Sequence, residues 1–346
     1  MPTVYDVPLR QLITSIFAAT GAPALTARTV ADSLVEADLA GHDSHGVIRV
    51  SEYLGEIRKG TLKPQAQPTI VGTTATTLQV HGNRGFGVVV ATWAMEQLLA
   101  KGVGGIAAAT ITGCGHIGRA GVYPAMAAER GMIGLAFVNG GARQPRVVPY
   151  GGTRPVFGTN PLAAAVPQGA QPPIVLDFST AVVAAGKIRV VRDRGELLPE
   201  GWILDREGRP SRQPQDYYDG GMLLPAAEHK GYALGLLVEI LGGLLTGAGT
   251  PALPESGYEV GNGVLFIVVD IAAFRPLETF AAQVRDLVTV LHASAPEAGT
   301  GEVLLPGEPE LRSRERRRVE GIPLAEATWH AILDAARTLD VTVEGF

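Results

Sequence analysis

Two hydrophobic periodicities alternate through the middle of the chain, and this alternation limits the folds that it can adopt. Short apolar runs of strand length are separated by longer stretches in which apolar residues recur at helical spacing. The runs typical of strands lie at residues 105–112, 132–140, 161–167, 172–179 and 263–271, after a predicted β-hairpin at 68–82. The stretches typical of helices lie at residues 85–102, 122–131, 180–193 and 274–293. Strands that alternate with helices predict an α/β fold.

The two ends of the chain differ from its middle because both are predicted to be helical. Helical patterns fill the N-terminal region, and another one occupies residues 322–340. From this order of elements we expect residues 1–67 and 300–346 to pack together as one helical domain. Residues 68–299 would then form an inserted α/β domain.

Two segments of the middle region need separate interpretations. Residues 231–245 are strongly apolar, but they are shorter than the roughly 20 residues of a membrane span and carry Glu239 at their centre. Their helical spacing predicts a buried core helix. Residues 193–229 are rich in proline, glycine and aspartate and are expected to form loops.

Composition narrows the class of protein. The 346 residues are 46% hydrophobic and 18% charged, with a formal net charge of −5, so we expect neither a nucleic-acid nor a membrane partner. The basic run at 312–320 is interrupted by glutamates, which predicts a solvated helix face rather than a phosphate site. The single cysteine, Cys114, excludes an intramolecular disulfide, and the first residues show no secretion signal. We therefore expect a cytoplasmic protein.

The loop "TITGCGHIGRAG" at 110–121 carries the Gly-x-Gly-x-x-Gly spacing of a dinucleotide-binding turn. A Rossmann turn also needs an acidic residue at the end of the next strand, but that strand ends "LAFVNGG". We therefore do not expect this loop to be a standard Rossmann turn. His116 follows the strand on a glycine-lined loop where nothing is expected to crowd it. Because histidine titrates near neutrality, His116 is a candidate general acid/base, the alternative being a histidine that only satisfies the loop backbone.

A second polar cluster, "HDSHGVIR", interrupts the N-terminal helices. Three interpretations compete: a metal site at His42-x-x-His45, a hydrolase nucleophile at Ser44, and a polar wall around a small anion. The first lacks further ligands at a supporting spacing, and the second lacks the strand–turn–helix context of a nucleophile elbow. The third suits a carboxylate, which Arg49 can bind in bidentate fashion, with Arg119 as the other candidate.

Six segments together carry a resemblance to a known family. They are "GHDSHGVIRVSEY", "GCGHIGRAG", "FGTNPLAAAVP", "VLDFSTAVVAAGKIRV", "EHKGYALGLLVEILGG" and "LLPGEPE…R…EGIPL", in order from residue 41 to about 324. The set resembles the type 2 malate/L-lactate dehydrogenase family, which also contains ureidoglycolate and sulfolactate dehydrogenases and Δ1-piperideine-2-carboxylate reductases. "AGHDSHG" and "AEHKGYAL" are most similar to the hydroxycarboxylate dehydrogenase branch.

The resemblance implies a homodimeric NAD(P)-dependent oxidoreductase with its own non-Rossmann, mixed-sheet α/β fold. It implies that His116 exchanges a proton with the substrate and that Ser44 and His45 lie at the nicotinamide and the substrate. The positions that it assigns to cofactor contact are His45, Gly118, Arg119, Ala120, Asn160, Asp177, Phe178, Ser179, His229, Lys230 and Glu308. It assigns no metal ligand.

The sequence departs from the commoner family pattern at two places beside these positions. "DFSTA" replaces Asp-Met-Ala-Thr-Ser, and Ala227-Glu228 replaces Gly-Gly before His-Lys-Gly. Both departures leave NAD and NADP open as cofactors. A 2′-phosphate could be neutralised by Arg189, Arg192 and Arg194, although exposed surface charges explain these residues equally well.

The function expected from the sequence is reversible hydride transfer between nicotinamide and a small 2-oxo or 2-hydroxy acid, with His116 as general acid/base. Arg49 is the expected carboxylate clamp, and Ser44 and His45 orient the carbonyl. Reduction of a cyclic imine such as Δ1-piperideine-2-carboxylate is an alternative within the family. A metal-dependent hydrolase or lyase that uses His42, His45 and His116 with Asp43 is the alternative from another class.

Overall fold

Helices and short strands follow one another in the predicted order. The computed structural model describes residues 2–140, 145–253, 261–299 and 301–343. The helices are α1 (Asp6–Ala19), α2 (Ala24–Leu39), α3 (Val50–Arg58), α4 (Gly87–Gly102), α5 (Val122–Ala128), α6 (Ala185–Asp193), α7 (Pro214–Tyr218), α8 (His229–Val238), α9 (Leu277–His292), α10 (Glu308–Glu320) and α11 (Glu326–Thr338). Short 3-10 helices lie at Asp43–His45, Val47–Arg49 and Ile271–Ala273, and a π-helix at Glu239–Leu244.

A mixed seven-stranded sheet organises the middle of the chain. The strands are β1 (Thr3–Val4), β2 (Thr69–Thr73), β3 (Thr77–His81), β4 (Ile106–Cys114), β5 (Met132–Val138), β6 (Pro161–Gln168), β7 (Gln171–Ser179), β8 (Ile203–Leu204), β9 (Pro210–Ser211), β10 (Met222–Leu223), β11 (Asn262–Asp270) and β12 (Ile322–Pro323). The order in the large sheet is β2-β3-β4-β11-β5-β6-β7. Only β3 and β4 run parallel among the paired strands that the structure describes. The prediction of an α/β fold with a mixed sheet is confirmed.

Residues from both ends of the chain share one hydrophobic core. The strand β1 pairs with β12, so that Val4 lies opposite Ile322. Buried side chains of α1 and α2 pack in the same cluster as Ile332 and Ala336 of α11. Phe86, just before α4, also belongs to this cluster. The helical ends thus contact the start of α4, which lies against the strand that leads to His116. The domain boundary proposed at residue 300 falls outside the described residues.

The region between β7 and α8 differs from the prediction. The helix expected at 180–193 begins only at Ala185, because residues 180–184 form an irregular connection after β7. The segment expected to be loops contains α7 and a three-stranded sheet of order β10-β8-β9. A small core of its own, which includes Ile188, Ile203 and Leu223, stabilises this unit. Strands of two residues are too short to give a periodic signal in a sequence.

The prediction of a buried core helix at 231–245 is wrong for the isolated chain. The side turned to the sheet carries glycines and Glu239, and a Cβ at Gly242 would lie 2.6 Å from the backbone nitrogen of Asn139. The leucines instead point outward, with Leu237 at 45% and Leu245 at 61% exposure. Small residues let the helix approach the strand ends closely, which leaves the large apolar side chains on the outer surface. Among the described residues, no helix has the length and apolar character of a membrane span.

The backbone just before α8 is strained. Ala227 and Glu228 have φ angles of +46° and +56°, and ψ of Glu228 is −123°. Residues with a Cβ rarely adopt these angles, which cost on the order of 1–3 kcal/mol. These are the two positions at which the family pattern that the sequence resembles more commonly has glycine, the residue that adopts a positive φ most readily.

Replacing Glu228 by glycine should therefore stabilise the protein. We expect Glu228→Gly to raise the free energy of unfolding by about 1 kcal/mol, since the relieved strain exceeds the backbone entropy cost of glycine. Urea unfolding followed by circular dichroism measures the change. As the matched control, Gln283→Gly at an exposed position inside α9 should lower the free energy by about 1 kcal/mol. Equal losses in both variants would contradict the strain at Glu228.

Candidate active site

His116 lies two residues beyond the end of β4, on the loop that the sequence singled out. The backbone of the loop is held on both sides of the histidine: Ile117 donates its N–H to Asn262 Oδ1 at 3.0 Å, and Tyr123 donates its hydroxyl to the Ile117 carbonyl. The loop also packs directly against the start of α4, where a Cβ at Gly87 would lie 2.0 Å from the Gly115 carbonyl oxygen. The position of the imidazole is therefore fixed by the sheet and by α4.

The orientation of the His116 ring depends on the backbone conformation of Gly118. Its φ is +73°, a backbone conformation that favours glycine. With this φ its N–H points back at His116 Nδ1, at 3.3 Å. A substitution here would strain the loop and remove the alignment. The last glycine of the Gly-x-Gly-x-x-Gly spacing thus helps to orient the imidazole.

The ring of His116 is enclosed by two aromatic neighbours. The hydroxyl of Tyr53, on α3, lies 2.9 Å from Nδ1, and the ring of His45 stacks on His116 with centroids 5.3 Å apart. The expectation that nothing crowds the imidazole is wrong. Because a backbone N–H can only donate, the contact from Gly118 requires a lone pair on Nδ1. The Tyr53 hydroxyl can donate to the same lone pair. The Nε2 atom is then the ring nitrogen left for a ligand.

Burial keeps both histidines neutral near pH 7. Loss of solvent lowers the pKa of His116 well below its usual 6.5, and the positive charge of Arg49 and the neighbouring His45 lower it further. The same burial, together with Arg49, lowers the pKa of His45 to about 4. A neutral imidazole can accept a proton from a hydroxyl group at cellular pH, which a protonated one cannot.

The polar turn that carries Ser44, His45 and Arg49 is held by its own hydrogen bonds. Ser44 Oγ lies 3.0 Å from His45 Nδ1, and Arg49 Nε donates to the Ser44 carbonyl at 2.8 Å. Arg49 Nη1 lies 2.5 Å from Glu52. These contacts orient the guanidinium beside the two histidines and leave it partly exposed. The structure thus brings the four predicted catalytic residues into one cluster.

A buried carboxyl group, Asp38 on α2, fixes the backbone of this turn. Its Oδ2 accepts the Val47 N–H at 2.8 Å, and Gly46 passes so close that a Cβ there would lie 1.8 Å from Oδ1. Burial raises the pKa of Asp38 to about 8, although the Val47 hydrogen bond opposes this shift. The turn therefore cannot move far without losing a buried hydrogen bond.

The histidines do not assemble a metal site. His42 Nε2 pairs with Glu310 of α10 at 3.0 Å, while His45 contacts Ser44. Within the described part of the chain, no three side chains of histidine, cysteine, aspartate or glutamate are grouped as metal ligands would be. The structure therefore gives no support to the interpretation as a metal-dependent hydrolase.

Arg119, at the end of the loop, is a buried cation with unused hydrogen-bonding capacity. It is 6% exposed, and its Nε lies 3.4 Å from Asp177 Oδ2 on β7. Burial lowers the pKa of Arg119 and raises the pKa of Asp177. Its Nε and Nη1 atoms find no hydrogen-bond partner among the residues that the structure describes. Since orphaned buried donors are costly, this group is suited to an anionic ligand.

The basic run on α10 is only partly a solvated face. Arg314 reaches Glu36 at 3.5 Å, and Arg317 reaches Asp43 at 2.5 Å and the Asp38 carbonyl. These arginines turn inward and tie α10 to α2 and to the polar turn. Arg316 is 62% exposed and fits the prediction.

The other residues assigned to the cofactor occupy different environments. Phe178 is 41% exposed at the end of β7, whereas Ser179 donates to the Thr159 carbonyl at 2.9 Å and Ala120 is buried. His229 and Lys230 are exposed at the start of α8. Glu308 accepts from the Leu305 N–H at 2.8 Å and pairs with His292.

Asn160 is fully buried, and its amide already bonds to Gly140, Gly235 and Glu239. Its side chain can support the strand ends, but it presents no surface to a ligand.

Comparison with known proteins identifies the family. The family model described as malate/L-lactate dehydrogenase matches residues 7–333. The chain belongs to the malate/L-lactate dehydrogenase family. It is 36% identical to an L-sulfolactate dehydrogenase of Methanothermobacter thermautotrophicus over 339 residues, which cover 96% of each chain. It is 35% identical to hydroxycarboxylate dehydrogenase B of Escherichia coli O157:H7, over 97% of this chain and 94% of the relative.

Solved structures of this family have the same fold. The malate dehydrogenase of Pyrococcus horikoshii superposes with a TM-score of 0.88 at 31% identity, covering 100% of this chain and 97% of that one. A Δ1-piperideine-2-carboxylate reductase from Pseudomonas syringae gives a TM-score of 0.84 at 32% identity, covering 97% and 100%. The chain is thus an oxidoreductase related to enzymes of hydroxy acids, and the metal-dependent hydrolase alternative is not retained.

Three residues that support this candidate site were missed by the sequence interpretation. Tyr53, Asp38 and Asn262 hold His116, the polar turn and the loop, respectively. Asp38 had a detectable signal, because it is a charged residue beside the apolar stripe of α2. Tyr53 and Asn262 had none, since each acts on a partner far away in the sequence.

The burial of His45 predicts a pH-dependent loss of stability. Because its pKa falls to about 4 in the folded state from the usual 6.5, its contribution is complete above pH 6.5 and is lost as the pH falls toward 4. We expect His45→Asn to lose less free energy of unfolding than the unsubstituted protein between pH 6.5 and 4, by urea titration at each pH. His330→Asn, at an exposed position on α11, is the control. An unchanged pH slope in His45→Asn would show that His45 is not buried as a neutral ring.

Proposed function

We propose that the chain is an NAD(P)-dependent dehydrogenase of small 2-hydroxy acids, with His116 as its general acid/base. The observation that carries this proposal is the environment of the imidazole. Nδ1 is engaged by Tyr53 and Gly118, Nε2 is left for a ligand, and Ser44, His45 and Arg49 stand beside it. A proton acceptor flanked by a guanidinium suits a substrate with a hydroxyl next to a carboxylate.

In the oxidising direction His116 takes the hydroxyl proton at Nε2 as C2 becomes a carbonyl carbon. In the free protein Nδ1 carries the lone pair, so the ring must first change to the tautomer with hydrogen on Nδ1. The Tyr53 hydroxyl then accepts this hydrogen, because a hydroxyl can accept as well as donate, and the 3.3 Å contact from the Gly118 N–H is given up. In the reducing direction His116 acts as the imidazolium, which donates its Nε2 proton to the carbonyl oxygen and becomes neutral. When bound, the nicotinamide cofactor supplies or accepts the hydride at C2. A positioned acid/base of this kind contributes roughly 10²- to 10⁴-fold in rate.

The substrate carboxylate is assigned to Arg49. Its guanidinium is partly exposed beside the two histidines, with Nε held by the Ser44 carbonyl and Nη1 paired with Glu52. Its remaining donors can bind a carboxylate in a fixed direction, so that C2 is oriented toward His116. Ser44 and His45 orient the substrate oxygen from the same turn.

A nicotinamide dinucleotide fits the residues on the other side of the loop. Arg119 offers buried nitrogen donors that lack hydrogen-bond partners among the described residues, which suits a phosphate group, and Phe178 offers an exposed ring. We assign Gly118, Arg119, Ala120, Asp177, Phe178, Ser179, His229, Lys230 and Glu308 to the surroundings of the cofactor. The antiparallel character of the sheet supports a mode of binding that differs from a Rossmann half.

The choice between NAD and NADP depends on local charge. Arg189, Arg192 and Arg194 are the candidates for a 2′-phosphate, but Arg192 lies over the ring of Tyr218 and pairs with Asp193 at 3.0 Å. This pairing reduces the charge that is available to a phosphate. We therefore propose that either cofactor is accepted, and oxidation of NADH and of NADPH under the same conditions measures the preference.

Reduction of a cyclic imino acid is a second candidate activity. The structural similarity to a Δ1-piperideine-2-carboxylate reductase favours it. The proton would pass to nitrogen instead of oxygen, and the carboxylate clamp would be the same. An assay of pyruvate, oxaloacetate, hydroxypyruvate, phenylpyruvate, glyoxylate and Δ1-piperideine-2-carboxylate separates the two candidates.

We also propose a homodimer of a cytoplasmic enzyme with two domains, 1–67 with 300–346 and 68–299. The support for the dimer is the outer side of α8 and the π-helix. Apolar side chains lie exposed there at helical spacing: Leu234, Leu237, Ile240, Leu244 and Leu245. An exposed apolar patch of this kind is typical of a surface covered by a partner.

Removing the imidazole tests the acid/base role. We expect His116→Ala to lower kcat by roughly 10²- to 10⁴-fold, while the Kd for NADH or NADPH, measured by fluorescence, changes little. His330→Ala on α11 is the control and should keep the original kcat. A near-normal kcat in His116→Ala would exclude His116 as the acid/base.

The two candidate clamps can be separated by paired substitutions. Arg49→Ala should raise KM for the acid by about 10- to 100-fold, as expected for loss of a charge-assisted hydrogen bond, with a smaller effect on kcat. Arg119→Ala should instead raise the KM of the dinucleotide. If KM for the acid is unchanged in Arg49→Ala and raised in Arg119→Ala, the clamp is Arg119.

A further inference from the structure

The carboxyl group of Glu239 is buried and has no role in the function proposed above. Glu239 is 4% exposed and is the first residue of the π-helix that follows α8. Its Oε1 accepts from Asn139 Nδ2 at 2.9 Å, and its Oε2 accepts from Asn160 Nδ2 at 2.6 Å. Asn139 directly follows β5, and Asn160 directly precedes β6. One carboxyl group therefore ties the ends of two neighbouring strands.

From Asn139 the hydrogen bonds continue to the His116 loop. The carbonyl of Asn139 accepts from Asn262 Nδ2 at 2.9 Å, and Asn262 Oδ1 accepts from the Ile117 N–H at 3.0 Å. Ile117 is the residue after His116. A continuous chain of buried groups thus runs from Glu239 through two asparagines to the catalytic loop.

Packing leaves this chain little freedom to rearrange. A Cβ at Gly243 would lie 2.8 Å from Asn139 Nδ2, so the π-helix presses directly on that amide. The amide of Asn160 cannot reverse without loss, because its Oδ1 accepts the Gly140 N–H at 3.0 Å. π-helical turns are rare and frequently lie at functional sites. Here the turn places a carboxylate opposite two amide donors of fixed direction.

We infer that Glu239 is a positioning residue for the reaction, since it holds the His116 loop through Asn139 and Asn262. The inference rests on the proposed role of His116. A carboxylate is needed because both of its partners donate, and an amide in its place would set its own NH₂ group against one of them. The loop would then shift, and a displacement of about 1 Å at a catalytic group can cost 10²-fold in rate.

The test compares Glu239→Gln with Thr246→Val. Thr246, in the turn just after the π-helix, donates to the Gly242 carbonyl at 2.7 Å but lies off the chain of hydrogen bonds. We expect Glu239→Gln to increase amide hydrogen exchange in residues 115–121 by about fivefold or more and to lower kcat by roughly 10- to 100-fold. The Kd of the dinucleotide should change little. Thr246→Val should change neither loop exchange nor kcat, even if it lowers Tm as much as Glu239→Gln does.

A second variant cuts the chain in its middle. Asn262→Asp keeps an acceptor for Ile117 but loses the donor to Asn139, so it should loosen the loop to a similar extent. The double variant with Glu239→Gln should then be no worse than the poorer single one, because both changes break one chain. If Glu239→Gln does not fold, Asn262→Asp alone still tests whether the chain of hydrogen bonds holds the loop.

The outcomes separate the inference from the function on which it rests. Unchanged exchange in the loop, or faster exchange with a kcat equal to that of Thr246→Val, would overturn the positioning role. Independent, additive losses in the double variant would overturn it as well. If the unsubstituted protein reduces none of the acids, the proposed function fails, whereas loop exchange still decides whether Glu239 holds the loop.

Discussion

The hydrogen bond between Tyr53 and His116 is the contact on which the site depends. It joins α3, from the helical N-terminal region, to the loop after β4, which belongs to the sheet. Tyr53 packs against Phe17 and Phe86, so its ring is held by the same core that unites the two ends of the chain. The orientation of the imidazole is therefore a consequence of how the helical region sits on the sheet.

Burial determines what the imidazole can do. A solvent-exposed histidine would be partly protonated at pH 7, but enclosure between Tyr53 and His45, next to Arg49, favours the neutral ring. In the proposed function, the same guanidinium that lowers the pKa of His116 binds the substrate carboxylate. A bound anion would offset its charge and make protonation of His116 easier. In the proposed function, arrival of the acid would thus be coupled to the proton transfer at His116.

Much of the fold could be predicted because periodicity and turn residues are local signals. The helices at both ends, the hairpin β2–β3 and the strand that leads to His116 all lie where the pattern placed them. The outward leucines of α8 could not be predicted, because a monomer surface and a core helix have the same spacing. The two-residue strands β8 to β10 were missed because they are too short to be periodic.

The sequence predicted which residues cluster at the candidate site, but it did not predict the residues that hold them in place. Ser44, His45, Arg49 and His116 meet as expected, because chemically reactive residues without a structural reason are visible in a sequence. Tyr53, Asn262 and Glu239 act through partners that are 63, 145 and 100 residues away, so no local pattern reveals them. Asn160 is the opposite case. The sequence assigned it to cofactor contact, but its buried side chain bonds to other residues of the protein.

The protonation state of His116 in the free protein tests the central claim most directly. Nitrogen-15 NMR of histidine-labelled protein distinguishes both neutral tautomers and the imidazolium, and His116→Gln assigns the signal among the 7 histidines. At pH 7 we expect a neutral ring with its hydrogen on Nε2, and this state should persist well below pH 6.5. An imidazolium at pH 7, or a neutral ring that titrates at or above pH 6.5, would contradict the account.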